Sequence, residues 1–367
     1  MRLVPARSID WYLIGLVLLL VAIGVATIYT VTLARGESHL AWGQLGFLGI
    51  GALVTAWLMQ ADYRRLGAWA YLLYLGGLGL LGLVATSGTT VFGATRWLDL
   101  GPFQLQPSEL MKLLVVLVVA RVLARDAGTL RFRTLLFLLM VVAVPVLLVL
   151  NQPDLGTAGV LILTTLLLLA VAKLPRGHWL FLSAITLVSL PVVYFRLEPY
   201  QLERIQTFLS PQADPYGAGY NVLQSLIAVG NGGLFGQGIG QGSQSQLDFL
   251  PVVHTDFIFA GIAEATGFLG SSFVILIFAL LIARAFWIAR SAPDRFGLMI
   301  AMGLGSLWLV QFAINVGMNL GLAPVTGIPL PFVSHGGTAL ITNCAALGVL
   351  ESIAIRTREG SRMRRLA

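Results

Sequence analysis

Residues 11–33 read WYLIGLVLLLVAIGVATIYTVTL, an uncharged run bounded by Asp10 and Arg35. A hydrocarbon core about 30 Å thick needs about 20 apolar residues in a helix, so this run alone suffices to cross a bilayer. It is also too long for the apolar core of a signal peptide, and reads as an uncleaved anchor. Working outward, nine further apolar segments follow, at roughly 41–61, 69–86, 107–124, 134–150, 155–172, 178–195, 254–284, 296–320 and 333–355. Helices are expected throughout, because an unpaired backbone group in lipid costs several kcal/mol. Composition agrees: 57% of the 367 residues are hydrophobic, 11% are charged, and the mean hydropathy is +0.87. Soluble domains carry about 25% charge, so a soluble enzyme, a disordered scaffold and a coiled coil are excluded. The expectation is an all-α polytopic membrane protein with ten transmembrane helices, forming one domain over 1–367.

The basic residues orient it. With the N-terminus inside, only Arg35, Arg96, Lys112, Arg196 and Arg204 of the 23 Lys and Arg fall on the outer side. That asymmetry is the positive-inside pattern and predicts two cytoplasmic termini. The net charge of +7 then reflects inner loops and a basic tail against anionic headgroups rather than nucleic acid. The single cysteine, Cys344, forms no intramolecular disulfide, and no Cys/His cluster has zinc-ligand spacing.

Two outer connections are long, 87–106 and 196–253. In the second, Val222, Leu223, Leu226 and Ile227 follow helical spacing, so part of it reads as an amphipathic or re-entrant helix. This connection is expected to be partly helical and not a separate domain. Seven glycines follow between Gly230 and Gly242. They contain no G-x-G-x-x-G after a strand, which excludes a dinucleotide site and leaves a flexible hinge as the plain reading.

Ionisable groups in membrane segments are costly and usually functional. Glu109 and Lys112 open the fourth segment on one helical face, either as a structural ion pair or with the lysine holding a phosphate. Asp256 begins the eighth segment and Glu264 lies about 12 Å deeper on nearly the same face. Glu264, with the one-face stripe Gln311, Asn315 and Asn319, suits a buried polar network between helices. Asp154 follows Asn151, Gln152 and Pro153 in an outer turn, where it could cap the next helix. His254 and His335 read as hydrogen-bonding residues rather than metal ligands. No spacing supports a Ser–His–Asp triad. These residues describe an outward-facing cavity with one conspicuous aspartate, compatible with a transporter, an enzyme on a lipid-linked substrate, or a scaffold.

The same polar islands carry a resemblance. Arg96-Trp97, Gly101 and Gln106-Pro107-Ser108-Glu109-x-x-Lys112 form one motif. Gln152-Pro153-Asp154-Leu155-Gly156-Thr157-Ala158 form a second, and Leu250-Pro251 with His254-Thr255-Asp256-Phe257-Ile258-Phe259 a third. Gly327-Ile328-Pro329-Leu330-Pro331-Phe332, Ser334 and Gly336-Gly337 form a fourth. In order and over almost the whole chain, they resemble the shape, elongation, division and sporulation (SEDS) family. The stretch from Gly242 to Leu250 is more similar to its elongation member than to its division member. The chain departs from the family's pattern at Val252, Ala265, His335 and Thr338.

The resemblance implies a peptidoglycan glycosyltransferase that polymerises lipid II at the outer face of the bacterial plasma membrane. It also implies a class B penicillin-binding protein as partner. Asp256 would be the general base. Lys112, oriented by Glu109, would face the leaving pyrophosphate with Arg96, and more weakly Arg204. Asp154 and Ser334 complete the expected substrate-binding set. No cofactor is required by this reading, although a divalent cation, Mg²⁺ or Mn²⁺, could accompany the pyrophosphate. The rival reading is a lipid II flippase, against which the outer clustering of the motifs argues.

Overall fold

The computed structural model describes residues 8–33, 35–91, 94–101, 103–126, 130–195, 198–217, 219–247 and 249–366. Arg2, Arg7 and Arg196 of the charge count, and Asp248 of the elongation-like stretch, lie outside the described residues. The chain is a helical bundle in which a helix coincides with every one of the ten apolar segments. The first three are α1 (Trp11–Leu33), α2 (His39–Gln60) and α3 (Tyr63–Ser87). Next come α4 (Pro107–Arg125), α5 (Phe132–Leu150), α6 (Leu155–Val171) and α7 (Arg176–Phe195). Three short helices, α8 (Pro199–Leu209), α9 (Tyr220–Asn231) and α10 (Ser243–Gln246), occupy the long connection. The last three are α11 (Ile258–Ser291), α12 (Arg295–Asn319) and α13 (Gly337–Leu366). Among the described residues, 7 helices are long and apolar enough to cross a membrane, and α6 is a shorter apolar one. This is a polytopic membrane architecture.

α4 is the centre of the bundle. Pro107 opens it at a first-turn position, where its missing N–H costs nothing. Nearly every following residue to Leu123 is buried, enclosed by α3, α5, α6, α12 and α13. α13 packs along α2, and an added Cβ at Gly348 would meet the Thr55 carbonyl oxygen at 2.9 Å. Small residues let membrane helices approach in this way.

The first long connection folds as a small antiparallel sheet, β1 (Thr89–Val91), β2 (Ala94–Asp99) and β3 (Gln104–Leu105), in that order. Thr89 opposes Trp97, and Leu98 opposes Leu105. The sheet places Arg96 over the α5–α6 turn.

α11 is broken at Gly267, whose φ of 67° and ψ of −162° interrupt the helix. The glycine-rich stretch satisfies the backbone groups freed there. Phe268 N donates to Gly233 O (2.9 Å) and Leu269 N to Leu234 O (3.2 Å). Gln237 N donates to Glu264 O (2.9 Å) and Gly238 N to Ala265 O (3.1 Å). An added Cβ on Gly267 would meet Gly236 N at 2.3 Å, and one on Gly236 would meet Ala265 O at 2.3 Å, so both segments need glycine for the approach. The plain reading of this stretch as a flexible hinge therefore fails. It is a structural plug, and irregular backbone in such a segment persists because its hydrogen bonds are supplied internally.

Candidate active site

Asp256 lies in the turn just before α11 rather than on it, so the expected common helical face with Glu264 does not exist. The Glu264 carboxylate turns aside and accepts from Gln244 N (2.7 Å) and Ser245 N (3.0 Å) at the start of α10. It is fully buried and holds the glycine-rich plug.

The turn carrying Asp256 is anchored from three directions. From α12, Asn315 Nδ2 donates to the Asp256 main-chain oxygen (3.0 Å), as does Asn319 Nδ2 (3.1 Å). From the segment before α13, Ser334 Oγ donates to Thr255 O (2.6 Å) and accepts from Leu330 N (2.8 Å). His335 N donates to His254 O (2.9 Å). From the α1–α2 connection, Arg35 donates to Leu250 O (3.2 Å). Gly327, with φ of 71°, passes so close that an added Cβ would lie 3.5 Å from Asp256 Oδ2. Ser334 thus directs its hydroxyl to the main chain of the Asp256 turn.

Arg96 reaches the same region from β2. Its Nε donates to Gln152 O (3.1 Å), its guanidinium also reaches Pro153 O, and it lies 4.0 Å from Asp154 Oδ1. Asp154 is buried and caps α6, accepting from Thr157 N (3.1 Å) and Thr157 Oγ1 (2.9 Å). Arg204 comes from α8, its guanidinium 5.9 Å from the Tyr200 ring centroid. Arg96 and Arg204 line one cavity of about 570 Å³ with Tyr200, Glu203, Asn221 and Val325.

Burial pushes the Asp256 carboxyl up from 3.8 to about 6, while Arg204 and then Arg96 pull it down and Asp154 adds a like charge. Among the described residues, no donor hydrogen-bonds its carboxylate. A partly buried carboxyl raised to about 6 and free of hydrogen-bond donors among the described residues suits proton transfer. Two guanidinium groups nearby suit an anion that develops charge.

Glu109 and Lys112 form a separate unit. Lys112 Nζ donates to Glu109 Oε1 at 2.7 Å, and both side chains are buried. Neither figures among the charges that bear on Asp256. The rings of His254 and His335 meet edge to face, centroids 5.9 Å apart. Burial holds His254 below its usual range, and burial with His254 and His39 brings His335 down to about 4. Among the described residues, no group of three or more His, Cys, Asp or Glu is placed to hold a metal ion.

Sequence reasoning missed Tyr200, Glu203 and Asn221. A signal existed: Tyr200, Glu203, Arg204 and Thr207 are spaced i, i+3, i+4 and i+7, and all four line the cavity. That polar face of α8 was legible once the segment was taken as a helix.

A family model described as a cell cycle protein, FTSW_RODA_SPOVE, matches residues 7–359. The peptidoglycan glycosyltransferase MrdB of Escherichia coli (strain K12) is 41% identical over 314 residues, 84% of either chain. A chain solved in work on the coordination of polymerization and crosslinking by a peptidoglycan synthase complex aligns with TM-score 0.81 and 32% identity, covering 95% of this chain and 98% of that one. The rod shape determining protein RodA of Thermus thermophilus aligns with TM-score 0.72 and 31% identity, covering 94% of this chain and 96% of that one.

Proposed function

Since this chain belongs to the FtsW, RodA and SpoVE family of cell cycle proteins, we propose that it is a peptidoglycan glycosyltransferase polymerising lipid II during cell elongation. The observation that carries the reading is the Asp256 turn: a partly buried carboxylate clamped through its main chain, within electrostatic reach of Arg204 and Arg96, which line a cavity. The likeness to the rod shape determining protein RodA of Thermus thermophilus and the stretch from Gly242 to Leu250 support the elongation role.

In this mechanism the 4-hydroxyl of an acceptor GlcNAc attacks C1 of a donor MurNAc. The C1–O4 bond forms as the bond from C1 to the pyrophosphate oxygen breaks. Asp256 takes the hydroxyl proton, and undecaprenyl pyrophosphate leaves with the electron pair. An α-linked donor and a β-linked product require inversion in a single displacement. Arg204 and Arg96 face the departing charge in the cavity, with Asp154 holding the turn that Arg96 grips. Lys112 would have to leave Glu109 to reach the same anion, so the pair is assigned to holding the start of α4.

The site opens on the outer face of the bacterial plasma membrane, with ten spans and both termini in the cytoplasm. A class B penicillin-binding protein crosslinks the product; the similarity to a chain of a peptidoglycan synthase complex supports such a partner.

The test incubates purified protein with lipid II, with and without the cognate penicillin-binding protein, and resolves glycan chains on a gel. Wild type should yield polymer and Asp256→Asn should not, while melting as a folded protein. Polymer from Asp256→Asn at the wild-type rate removes the base assignment. Lipid II movement across liposomes without any polymer would replace polymerisation by transport.

A further inference from the structure

The first turn of α11 has an unusual cap. Its N-cap is Phe257, which makes no side-chain capping bond, so the exposed N–H groups of that turn need another partner. Asn319, from the end of α12, supplies it: its Oδ1 accepts from Ala260 N at 3.0 Å. The opposite end of the same carboxamide donates to Asp256 O (3.1 Å) and to Asn315 O (2.8 Å). Asn315 adds a second donor to Asp256 O (3.0 Å) and ties in Ile328 O (2.8 Å). Both asparagines are fully buried.

One carbonyl oxygen receiving two side-chain donors uses both its lone pairs. The Asp256 main chain is therefore held against α12, and Asn315 ties the Ile328 carbonyl to the same point. Only χ1 and χ2 of Asp256 remain to aim the carboxylate. We propose that Asn319 and Asn315 are positioning residues for Asp256: they clamp its carbonyl and so fix where the carboxylate stands relative to Arg204 and Arg96, while Asn319 also caps α11. The proposal rests on the reading of Asp256 as general base.

Asn319→Asp tests the two roles apart. An aspartate keeps the acceptor for Ala260 N and loses both donors. Asn315→Ala removes a donor to Asp256 O and leaves the α11 cap in place. It decides the question alone if Asn319→Asp fails to fold. Each variant, as the full-length chain with its penicillin-binding protein, is assayed on lipid II across a pH series alongside a melting curve. A misplacement of about 1 Å costs on the order of 100-fold in rate. The expected result is a kcat lowered about tenfold or more with KM little changed, and an acid limb of kcat/KM moved from near 6 toward the ordinary carboxylate range. That movement follows because an unclamped carboxylate regains water. An acid limb left in place in the folded variants overturns the positioning role, whatever their kcat. Asp256→Asn separates this from the underlying reading. Wild-type polymerisation by Asp256→Asn removes the base assignment itself. An inert Asp256→Asn beside asparagine variants with an unmoved limb removes only the positioning.

Discussion

Asp10, at the N-terminal end of α1, is 1% exposed and receives the Arg284 guanidinium at 2.6 Å and that of Arg358 at 3.1 Å. Its own N–H donates to Glu351 Oε2 at 3.1 Å, and Arg284 also stacks on the Trp287 ring, 4.1 Å from its centroid. Asp256, at the other end of the bundle, is half-buried beside two arginines and is hydrogen-bonded by neither. The first carboxylate is saturated and ties α1, α11 and α13 together. The second has its main chain saturated and its carboxylate left over. A buried charge that is fully paired serves the fold, and one kept from its partners serves chemistry at a cost in stability. Glu109, with Lys112, and Glu264, with two main-chain donors, belong to the first kind.

The largest test of this contrast substitutes each aspartate by a neutral residue. Asp10→Ala leaves two arginines without their anion and should cost about 3–5 kcal/mol, read as a large fall in melting temperature. Asp256→Asn should do the opposite. Its folded pKa is raised, so the stability it contributes is complete below the ordinary carboxylate range and is lost as pH rises through about 6. At neutral pH the ionised group is a burden of about 3 kcal/mol. The neutral variant should therefore melt higher than wild type while making no polymer. A lower melting point for Asp256→Asn than for Asp10→Ala would break the comparison.

A second effect is in rate. If Asp256 must be ionised to accept a proton, kcat/KM should fall below about pH 6. Arg204 pulls that carboxyl down, so Arg204→Ala should shift the acid limb upward and lower kcat/KM about tenfold or more. An unmoved limb would detach Arg204 from the site.

The histidine pair sharpens the picture beside the same turn. Both rings are held neutral, with His335 at about 4. A depressed histidine pKa means that stability is lost as pH falls from about 6.5 toward 4, by up to about 3 kcal/mol. Melting curves over that interval should show the loss, and His335→Tyr should flatten it. The smallest effect concerns Val252, a β-branched residue at φ of 47°. In Val252→Gly, relief of that conformation is offset by loss of a side chain packed against Val31, Leu250 and Val253, so the denaturant midpoint should move by the equivalent of no more than about 1 kcal/mol in stability.

Several of these features could be read from spacing alone. Glu109 and Lys112 at i, i+3 had to share a face, and Gln311, Asn315 and Asn319 had to form a stripe. What the stripe holds could not be read, because the Asp256 carbonyl is some sixty residues away in the chain. Likewise Gly230 to Gly242 looked mobile because glycine permits many conformations. Only its contact with the break at Gly267 turns that freedom into a close-fitting plug. Asp256 and Glu264, eight residues apart, suggested one helical face. The helix begins after Asp256, and the two carboxylates go to different tasks.

Local periodicity and the free energy of transfer into lipid act on each segment separately, so the sequence by itself determined the helices, their apolar faces and the few polar residues that lipid would not tolerate. Which of those polar residues meet depends on packing between segments far apart in the chain. Arg96 on a strand, Arg204 on a short helix and Asn315 and Asn319 on α12 converge around Asp256 through contacts that no local rule contains. Tertiary structure alone decided which carboxylate was fully paired and which was left without a hydrogen-bond donor among the described residues.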